Sequence, residues 1–306
     1  MTTSINRVTI LALGLIGGSL ALALKRSGFS GELVAWGRSE ASLKKGLEIG
    51  AIDRYSLDLA AATDGADIVV IATPTLIAED MLRQLAALFS AGKLGAKTII
   101  TDVASVKGNL LQAARRAFGE VPPNLVLGHP IAGSEKSGVE AAKADLFVNH
   151  RVILTPTAET DPGALQRVTA LWQATGAELV QMPVDEHDAV LAATSHLPHL
   201  LAYALVDALA GSDRQHNIFR FAAGGFRDFT RIASSDPTMW RDIALANRDA
   251  VLASIDLFND NLSALRAAVE CGDSAALMAC FERAKAARDE FADMLAKQNR
   301  AITSGE

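Results

Sequence analysis

Residues 8–19 read Val-Thr-Ile-Leu-Ala-Leu-Gly-Leu-Ile-Gly-Gly-Ser, and this stretch decides the fold that we expect. A β-branched apolar run leads into a glycine-rich turn, and a helical run follows over residues 20–25. In a G-x-G-x-x-G fingerprint, the second glycine lets the backbone approach a pyrophosphate, and the third permits close packing of helix on strand. Gly14 and Gly17 occupy these two places. The pattern therefore predicts a dinucleotide-binding strand-turn-helix unit.

The fingerprint departs from the usual pattern at its first position, where Ala12 replaces glycine. Ala12 is compatible with the tight turn provided that its φ is negative, because a side chain is strained in the left-handed region. The end of the second strand reads Gly37-Arg38-Ser39 and has no carboxylate to repel a 2′-phosphate, so we expect NADP to be favoured over NAD. The expected cofactor-binding residues are Gly14, Leu15, Ile16, Gly17, Gly37, Arg38, Ser39, Thr73 and Asp102.

The rest of the chain divides into two halves of different periodicity. Up to about residue 182, short β-branched runs alternate with helical patterns, as in βαβ units. The predicted strands are residues 8–11, 33–36, 68–72, 98–103, 125–127, 152–154 and 179–182. Later residues carry apolar side chains at helical spacing, over 185–210, 236–269 and 273–301. We predict an α/β Rossmann-type, doubly wound, mostly parallel sheet in residues 1–182, and an all-α C-terminal dimerisation domain in residues 183–306.

Composition limits the class of partner. The 306 residues carry a net charge of -6 without a basic stripe, so nucleic acid and anionic membranes are not expected partners. Cys271 and Cys280 form neither a disulfide framework nor a metal spacing, which fits a reducing cytoplasm. Glycines interrupt the apolar run 8–24, and no other run approaches membrane length. Alanine-rich aliphatic helices of the C-terminal half favour a homodimer.

His129 is the candidate catalytic base. It follows the predicted strand 125–127, and ligands of an open α/β sheet lie outside the carboxyl ends of its strands. An imidazole also accepts a proton near neutral pH. The alternative is a histidine that caps a loop. Ser105, between a strand and a helix, offers a hydroxyl to the same crevice, and its alternative role is an ordinary N-cap.

Two further clusters belong to the helical half. His196 and His199 flank Pro198, which should kink the helix and free a carbonyl. No further ligand cluster supports zinc, so we expect no metal, and the alternative is two buried, hydrogen-bonded histidines. Residues 223–231 carry two arginines on a glycine-led turn, suited to binding a carboxylate. The alternative there is a surface salt bridge between Arg227 and Asp228.

Five motifs in this order resemble the prephenate and cyclohexadienyl dehydrogenases of tyrosine biosynthesis, and the resemblance spans nearly the whole chain. The motifs are Gly-Leu-Ile-Gly-Gly-Ser from residue 14, Ser-Val-Lys-Gly from 105, Gly-His-Pro-Ile-Ala-Gly-Ser-Glu from 128, Ser-His-Leu-Pro-His from 195, and Gly-Phe-Arg-Asp-Phe-Thr-Arg from 225 with Asp-Pro-Thr-Met-Trp from 236. The resemblance implies a Rossmann domain, a helical dimerisation domain, and NAD(P)-dependent oxidative decarboxylation of prephenate or arogenate, giving 4-hydroxyphenylpyruvate or tyrosine.

The resemblance also implies roles for single residues. His129 would accept the hydrogen of the substrate's ring hydroxyl, and Ser105 would orient substrate and nicotinamide. Arg231 would hold a substrate carboxylate with the help of His199. The other implied substrate-site residues are Ser134, Glu135, His196, Asp228 and Trp240, the last a candidate to reach a neighbouring subunit's site. Ala12 and Ala104 stand where members of the family often carry glycine.

Two other functions compete with this interpretation. A β-hydroxyacid dehydrogenase shares the Rossmann and helical halves but typically relies on a lysine in the helical domain, and the motifs above argue against it. A non-catalytic NADP-sensing dimer would bind the dinucleotide without reacting, and only Ala12 and Ala104 favour it.

Overall fold

The computed structural model describes residues 5–133, 136–212 and 215–304. Six parallel strands form one sheet in the order β3-β2-β1-β4-β5-β6. The strands are β1 (Arg7–Leu11), β2 (Glu32–Trp36), β3 (Arg54–Ser56), β4 (Ile68–Ile71), β5 (Ile99–Asp102) and β6 (Leu125–Val126). This is the strand order of a dinucleotide-binding Rossmann sheet. The predicted α/β class is confirmed, although β3 was missed because its three residues are only half-buried.

Alternating side chains place the sheet between two apolar cores. Val8 and Ile10 of β1 pack on one face, where Leu24 and Trp172 of flanking helices lie among the other core residues. Leu11 packs on the opposite face, in a second core that includes Leu82 and Leu110. Successive side chains of a strand point to opposite faces, and strands buried on both faces read as continuous apolar runs. The sheet is therefore covered by helices on both sides.

Three of the six helices described in this half begin at a side-chain N-cap. The six helices are α1 (Leu15–Arg26), α2 (Glu40–Glu48), α3 (Leu59–Thr63), α4 (Thr75–Ser90), α5 (Gly108–Phe118) and α6 (Pro162–Gln173). The Ser39 hydroxyl accepts the N–H of Ser42, and the Asp161 carboxylate accepts the N–H of Ala164 at 2.7 Å. Both side chains are N-caps, which agrees with the preference for Ser and Asp at this position.

A second sheet corrects the prediction of one continuous sheet. It contains β7 (Gly128–Pro130), β8 (Arg151–Leu154) and β9 (Glu178–Gln181), with β7 antiparallel to β8 and β8 parallel to β9. His129 therefore lies inside β7 opposite Ile153, rather than at the free end of a strand. After two residues of β6, the chain leaves the main sheet. It continues as β7, which pairs with β8 in the second sheet.

After β9 the described chain is helical. The helices are α7 (Val184–Leu191), α8 (Leu197–Ala210), α9 (Gln215–Arg220), α10 (Gly224–Thr230), α11 (Pro237–Ala246), α12 (Arg248–Cys271) and α13 (Ser274–Ser304). A π-helical turn, Ala192–His196, joins α7 to α8 just before Pro198. The helix predicted over 236–269 is interrupted at Asn247, which has the non-helical φ and ψ of -106° and 34°.

The chain forms two compact units, Met1–Val251 and Leu252–Glu306. The second contains the rest of α12 and α13, joined by a turn in which Gly272 has a φ of +67°. The predicted domain boundary between residues 182 and 183 is a different division and stays a prediction. Within the described ranges, one stretch, Val184–Ala210, is long and apolar enough to cross a membrane, so the expectation that no such run follows residue 24 was wrong. A single helix of this kind is weak evidence for a membrane protein.

Candidate active site

The turn after β1 has the geometry of a dinucleotide-binding fingerprint. A Cβ added at Gly17 would lie 2.5 Å from the Ala12 carbonyl oxygen and 3.1 Å from Cβ of Ala72, so Gly17 permits α1 to pack on the sheet. A Cβ at Gly14 would meet no atom within 4 Å, which leaves open space beside the N-terminus of α1. Exposed amides of a helix N-terminus and open space are what a pyrophosphate requires.

Ala12 does not satisfy the condition that we set for it. Its φ is +76°, in the left-handed region, while its N–H donates to the Trp36 carbonyl at 2.7 Å. The first position of the fingerprint therefore keeps the backbone that glycine would adopt, although it carries a methyl group. The strain stays local, because the roles of Gly14 and Gly17 are preserved.

A pocket of about 260 Å³ opens beside this turn. It is lined by Ala12, Trp36, Gly37, Arg38, Thr73, Pro74, Ile77, Asp80, Met81 and Gln84. The buried Thr73 hydroxyl has no partner within the described structure, so it is available to a ligand. An apolar cleft with an unpaired hydroxyl and a guanidinium fits the nucleoside part of NAD(P). Leu15 and Ile16 begin α1, and the Ser39 hydroxyl caps α2.

His129 belongs to a chain of three buried side chains. Its Nδ1 lies 2.9 Å from Nε2 of His187, and Nδ1 of His187 lies 2.8 Å from Oδ1 of Asp188. The carboxylate of Asp188 also accepts the N–H groups of Lys107 at 2.9 Å and Gly108 at 2.7 Å. The N-terminus of α5 therefore holds Asp188, which orients His187, which in turn orients His129.

The order of these bonds determines which nitrogen of His129 can act as a base. Asp188 is a carboxylate acceptor, so Nδ1 of His187 must carry hydrogen. Nε2 of the neutral His187 is then an acceptor, and Nδ1 of His129 must donate to it. The lone pair of His129 is left on Nε2, which has no protein partner in the described part of the chain. The three residues thus present an unprotonated nitrogen.

The surroundings keep this nitrogen unprotonated. Burial is the largest cause that holds the pKa of His129 well below its ordinary value. The imidazoles of His187 and His196 and the ammonium of Lys107 act in the same direction. Burial also lowers the pKa of His187, although its bond to Asp188 opposes the effect. At neutral pH the His129 imidazole is therefore unprotonated, so it can act as a base, although a weak one.

A second group of rings surrounds His199. The His199 ring stacks on Trp240 with the centroids 3.5 Å apart, and the ring of His196 lies edge-on to the same tryptophan. Nδ1 of His199 donates to the Ser195 carbonyl at 2.9 Å. Burial lowers the pKa of His199, and the nearby charge of Arg231 lowers it further, although the Ser195 bond opposes them. Arg231 therefore lies within electrostatic reach of His199, and their roles in binding substrate stay a prediction.

Asn247 connects the two groups. Its Nδ2 donates to the Asp188 carbonyl at 2.8 Å and lies 3.2 Å from Nδ1 of His196. Burial lowers the pKa of His196 to about 4, so this ring is neutral at physiological pH. Since Nδ1 accepts from Asn247, the hydrogen of His196 is on Nε2. The indole N–H of Trp240 is buried and has no partner in the described ranges, so it remains available to a ligand.

Some predicted site residues lie elsewhere or have other partners. Asp102 is buried, and its carboxylate bonds Lys107, Ala104 and Gly128, which differs from the predicted cofactor contact. Asp228 pairs with Arg227 at the exposed surface, as in the alternative interpretation of that motif. Ser134 and Glu135 lie outside the described residues.

Ser105 has a position that the alternative interpretation did not predict. It is half-buried between β5 and α5, but the N-cap of α5 is Lys107, so Ser105 is not a capping residue. Its hydroxyl makes no hydrogen bond in the part of the chain that the structure describes. In the same part, no three His, Cys, Asp or Glu side chains are grouped to hold a metal ion.

Sequence reasoning missed four residues of this site: His187, Asp188, Lys107 and Asn247. A signal existed for the first two, because adjacent histidine and aspartate stand between Val184 and Leu191 in the first helix after β9. Lys107 was part of a quoted motif but received no role. We find no sequence signal for Asn247, which breaks the helical pattern without a proline or glycine.

Comparison with known proteins agrees with this geometry. The model of the prephenate dehydrogenase nucleotide-binding domain matches residues 20–181, and that of the prephenate dehydrogenase dimerization domain matches residues 183–283. Prephenate dehydrogenase of Bacillus subtilis is 40% identical over 93% of this chain and 76% of its own length. Cyclohexadienyl dehydrogenase of Zymomonas mobilis is 34% identical over 94% of this chain and 96% of its own length.

Solved structures show the same relationship. Prephenate dehydrogenase of Aquifex aeolicus, in a complex with hydroxyphenyl propionate and NAD+, superposes with a TM-score of 0.85. It is 36% identical and covers 95% of this chain and all of its own. Arogenate dehydrogenase of Synechocystis has a TM-score of 0.79 at 29% identity, over 93% of this chain and 99% of its own.

Proposed function

Since the chain belongs to the prephenate dehydrogenase family, we propose that it oxidatively decarboxylates prephenate to 4-hydroxyphenylpyruvate in tyrosine biosynthesis, with NADP as the favoured cofactor. The observation that carries the proposal is the chain from Asp188 through His187 to His129, which leaves an unprotonated Nε2. Arogenate is the second candidate substrate, because cyclohexadienyl and arogenate dehydrogenases are among the relatives.

The alternatives that the sequence left open are not favoured. A β-hydroxyacid dehydrogenase typically uses a lysine of its helical half, but the lysines after residue 182 are Lys285 and Lys297, both on α13. Lys285 is exposed and pairs with Asp289. A non-catalytic NADP sensor would have no need of an oriented base.

In the proposed reaction, Nε2 of His129 takes the proton of the substrate's ring hydroxyl. At the same time, the ring carbon that bears this hydroxyl loses a hydride and becomes a carbonyl carbon. When bound, the nicotinamide accepts the hydride. The bond between the opposite ring carbon and its carboxylate then breaks, and carbon dioxide leaves. The electron pair of the broken bond stays in the ring and makes it aromatic. The ring oxygen gains negative charge in this step, so the protonated His129 can return the proton to it. General-base assistance of this kind is worth about 10²–10⁴-fold in rate.

The other side chains position the substrate. Arg231 binds a substrate carboxylate through its guanidinium, and His199 assists in the same pocket. Because Nδ1 of His199 donates to the Ser195 carbonyl, only a protonated Nε2 can donate to that carboxylate. Ser105 orients the ring hydroxyl and the nicotinamide end of the cofactor. Ser134, Glu135, His196 and Trp240 complete the proposed substrate site, whereas Asp228 pairs with Arg227 at the surface.

Substitution of His129 tests the proposal. His129→Asn keeps a polar side chain but removes the basic nitrogen, so we expect NADP to bind with unchanged affinity while kcat falls by about 10²–10⁴-fold. His150→Asn, a change of an exposed histidine, is the control. The measurements are calorimetric titration with NADP and the formation of reduced cofactor from prephenate. Near-normal turnover of the His129 variant would contradict the proposal, and no turnover of the wild type would favour the sensor.

The NADP preference rests on the wall of the pocket. Among the described residues, the Arg38 guanidinium has no ion pair, whereas the nearby Asp80 carboxylate is occupied by Arg83 and Gln84. A 2′-phosphate would therefore meet a free cation rather than a free carboxylate. We expect kcat/KM with NADP to exceed that with NAD, and Arg38→Ala to remove most of the difference. Arg151→Ala, at an exposed arginine of β8, is the control. A higher kcat/KM with NAD would refute the preference.

We also propose a homodimer that forms through the C-terminal half and functions in the cytoplasm. A dimerization-domain model matches residues 183–283, and the helices after Val251 expose many apolar side chains. They include Leu252, Leu257, Leu262, Val269, Met278, Phe281, Phe291, Met294 and Leu295. Cys271 and Cys280 are both free, which suits a reducing compartment. The proposed domain boundary is residues 182/183, where the two family models meet.

Light scattering tests the dimer. We expect twice the chain mass at micromolar concentration, and Leu257→Glu should lower the mass toward that of one chain, because it places a charge on an apolar face that a partner would cover. Leu57→Glu changes another exposed leucine, which lies in the Rossmann half, and should leave the mass unchanged. A single-chain mass for the wild type would refute the dimer.

A further inference from the structure

Lys107 is a fully buried cation to which the proposed mechanism gives no role. It precedes α5 as its N-cap residue, and its side chain has no exposed surface. Nζ bonds the Asp102 carboxylate and donates to the Gly128 carbonyl at 2.6 Å. Lysine is almost never fully buried unless it is paired, so this position needs a reason.

Asp102 keeps the pair ionic. Its carboxylate ends β5 and accepts the N–H groups of Ala104 at 2.8 Å and Gly128 at 3.1 Å besides the ammonium. The pKa of Lys107 is lowered, with burial as the largest cause, and the charges of Asp102 and Asp188 offset part of the change. Because two further donors already satisfy the carboxylate as an anion, the proton stays on Lys107. The ion pair ties β5, the start of α5 and the start of β7 together.

The pair bears directly on His129. Gly128 is bonded through both its N–H and its carbonyl, and His129 is the next residue of β7. The backbone N–H of Lys107 also holds Asp188, at the far end of the histidine chain. One residue therefore touches both ends of the assembly: the strand that carries the base, and the carboxylate that sets its tautomer.

Besides these hydrogen bonds, Lys107 contributes a positive charge to the surroundings of His129. The groups that face His129 are His187 from α7, His196 from the π-helical turn and Lys107 from the start of α5, with Asp188 behind His187 and Asp102 behind Lys107. Both histidines are held neutral, so Lys107 is the cation that directly opposes protonation of His129. Its removal would make the imidazole easier to protonate.

We infer that Lys107 is a positioning residue for His129: it anchors β7 through Gly128 and keeps a positive charge beside the imidazole, so that the base is free at mildly acidic pH. The inference rests on the proposed role of His129 as the base.

Lys107→Met tests it, because methionine keeps an unbranched side chain of similar length without the charge. We expect the acid limb of the kcat/KM profile to move to higher pH by about one unit, since a like charge near the base is gone. We also expect kcat to fall by about tenfold or more, because the anchor of β7 is lost. The KM for NADP should change little. A loss of packing alone would lower kcat without moving the acid limb.

Two comparisons complete the experiment. Asp102→Asn/Lys107→Met removes both charges, so it avoids an unpaired buried carboxylate if the single variant fails to fold. We expect a smaller upward displacement of the acid limb than in Lys107→Met, because the opposing charge of Asp102 is removed as well. Lys107→Arg keeps the charge and should keep the acid limb of the wild type, whatever its kcat.

A folded Lys107→Met or double variant whose acid limb stays at the wild-type pH would overturn the inference. Failure of the proposed function gives a different result, because His129→Asn would then retain turnover whatever the Lys107 variants do. An inactive His129→Asn together with an unmoved acid limb would refute only the role of Lys107.

Discussion

Two alanines, Ala12 and Ala104, stand where we expected glycine from the sequence motifs, and the structure distinguishes them. Ala12 has a φ of +76°, in the region where a side chain is strained. Ala104 is not among the residues of positive φ, and its methyl group is buried against the core on the face of α4 and α5. The first alanine therefore strains its backbone, whereas the second contributes packing.

Replacing each of these alanines by glycine should change the free energy of unfolding, in opposite directions for the two positions. In Ala12→Gly, about 1–2 kcal/mol of left-handed strain is relieved and about 0.5–1 kcal/mol is lost to chain entropy, so unfolding should become harder by about 0.5–1 kcal/mol. Ala104→Gly loses a buried methyl group as well as entropy and should make unfolding easier by about 1–2 kcal/mol. Urea denaturation at one protein concentration measures both. Equal signs for the two variants would contradict the assignment.

Arg231 is exposed and lies close enough to His199 to lower its pKa. If it holds a substrate carboxylate, Arg231→Gln should raise the KM for prephenate by about 10–100-fold and lower kcat much less, because a charge-assisted hydrogen bond to the bound substrate is lost. Arg227→Gln is the matched control, since its guanidinium bonds Asp228 at the surface. Steady-state kinetics separate the two parameters, and equal KM values for both variants would count against Arg231.

At the scale of elements, the contact between α5 and α7 sets the geometry of the histidine chain. The first N–H groups of α5 lack partners within the helix, and Asp188 of α7 supplies them with a carboxylate. The helix dipole also favours a negative charge there. Burial opposes ionisation of Asp188, but bonds from His187 and from these N–H groups outweigh it and lower its pKa.

Gly108 makes this contact possible, and its substitution tests it. A Cβ at Gly108 would lie 2.8 Å from Oδ2 of Asp188, so Gly108→Ala should displace the carboxylate and, through His187, the base. We expect kcat to fall by about 10²-fold, as for a misplacement near 1 Å, with little change in the KM for NADP. Gly211→Ala, where the nearest atom would be 3.5 Å away, is the control. Unchanged kcat in Gly108→Ala would show that the contact does not orient the base.

The predictable elements were those with local signals. Asp161-Pro162 marked the start of α6, and the fingerprint marked the start of α1. The kink at Pro198 was expected, but it takes the form of a π-helical turn that places His196 and His199 on the same tryptophan. β7 was not predictable, because three residues including a proline carry no strand periodicity.

At the scale of the whole molecule, three buried neutral histidines make stability depend on pH. His129, His187 and His196 all have pKa values below the ordinary one, with burial as the largest cause. The unfolded chain therefore binds more protons than the folded one below the ordinary pKa of about 6.5. Stability is complete above that pH and declines as the pH falls.

His196 gives this dependence a measurable size. With a folded pKa of about 4, it should withdraw about 2 kcal/mol of folding free energy between pH 7 and pH 5. In His196→Asn, the free energy of unfolding should fall less between pH 7 and pH 5 by this amount, whatever the absolute stability of the variant. His150→Asn, at an exposed position, should keep the wild-type slope. Urea denaturation at both pH values and one protein concentration is the measurement, and equal slopes in His196→Asn and wild type would refute the role of burial.

Local sequence patterns were enough to predict the α/β half, the helical half, the dinucleotide fingerprint and the candidate base. Each depends on residues close together in the chain: alternating apolar runs, capping residues and glycines that set a turn. Tertiary structure alone decided which nitrogen of His129 is free, because His187 is 58 residues away and Asp188 bonds an N–H group 81 residues away. It also decided the φ of Ala12 and the burial of Lys107. Tautomer, charge and backbone strain depend on partners that meet only when the chain has folded.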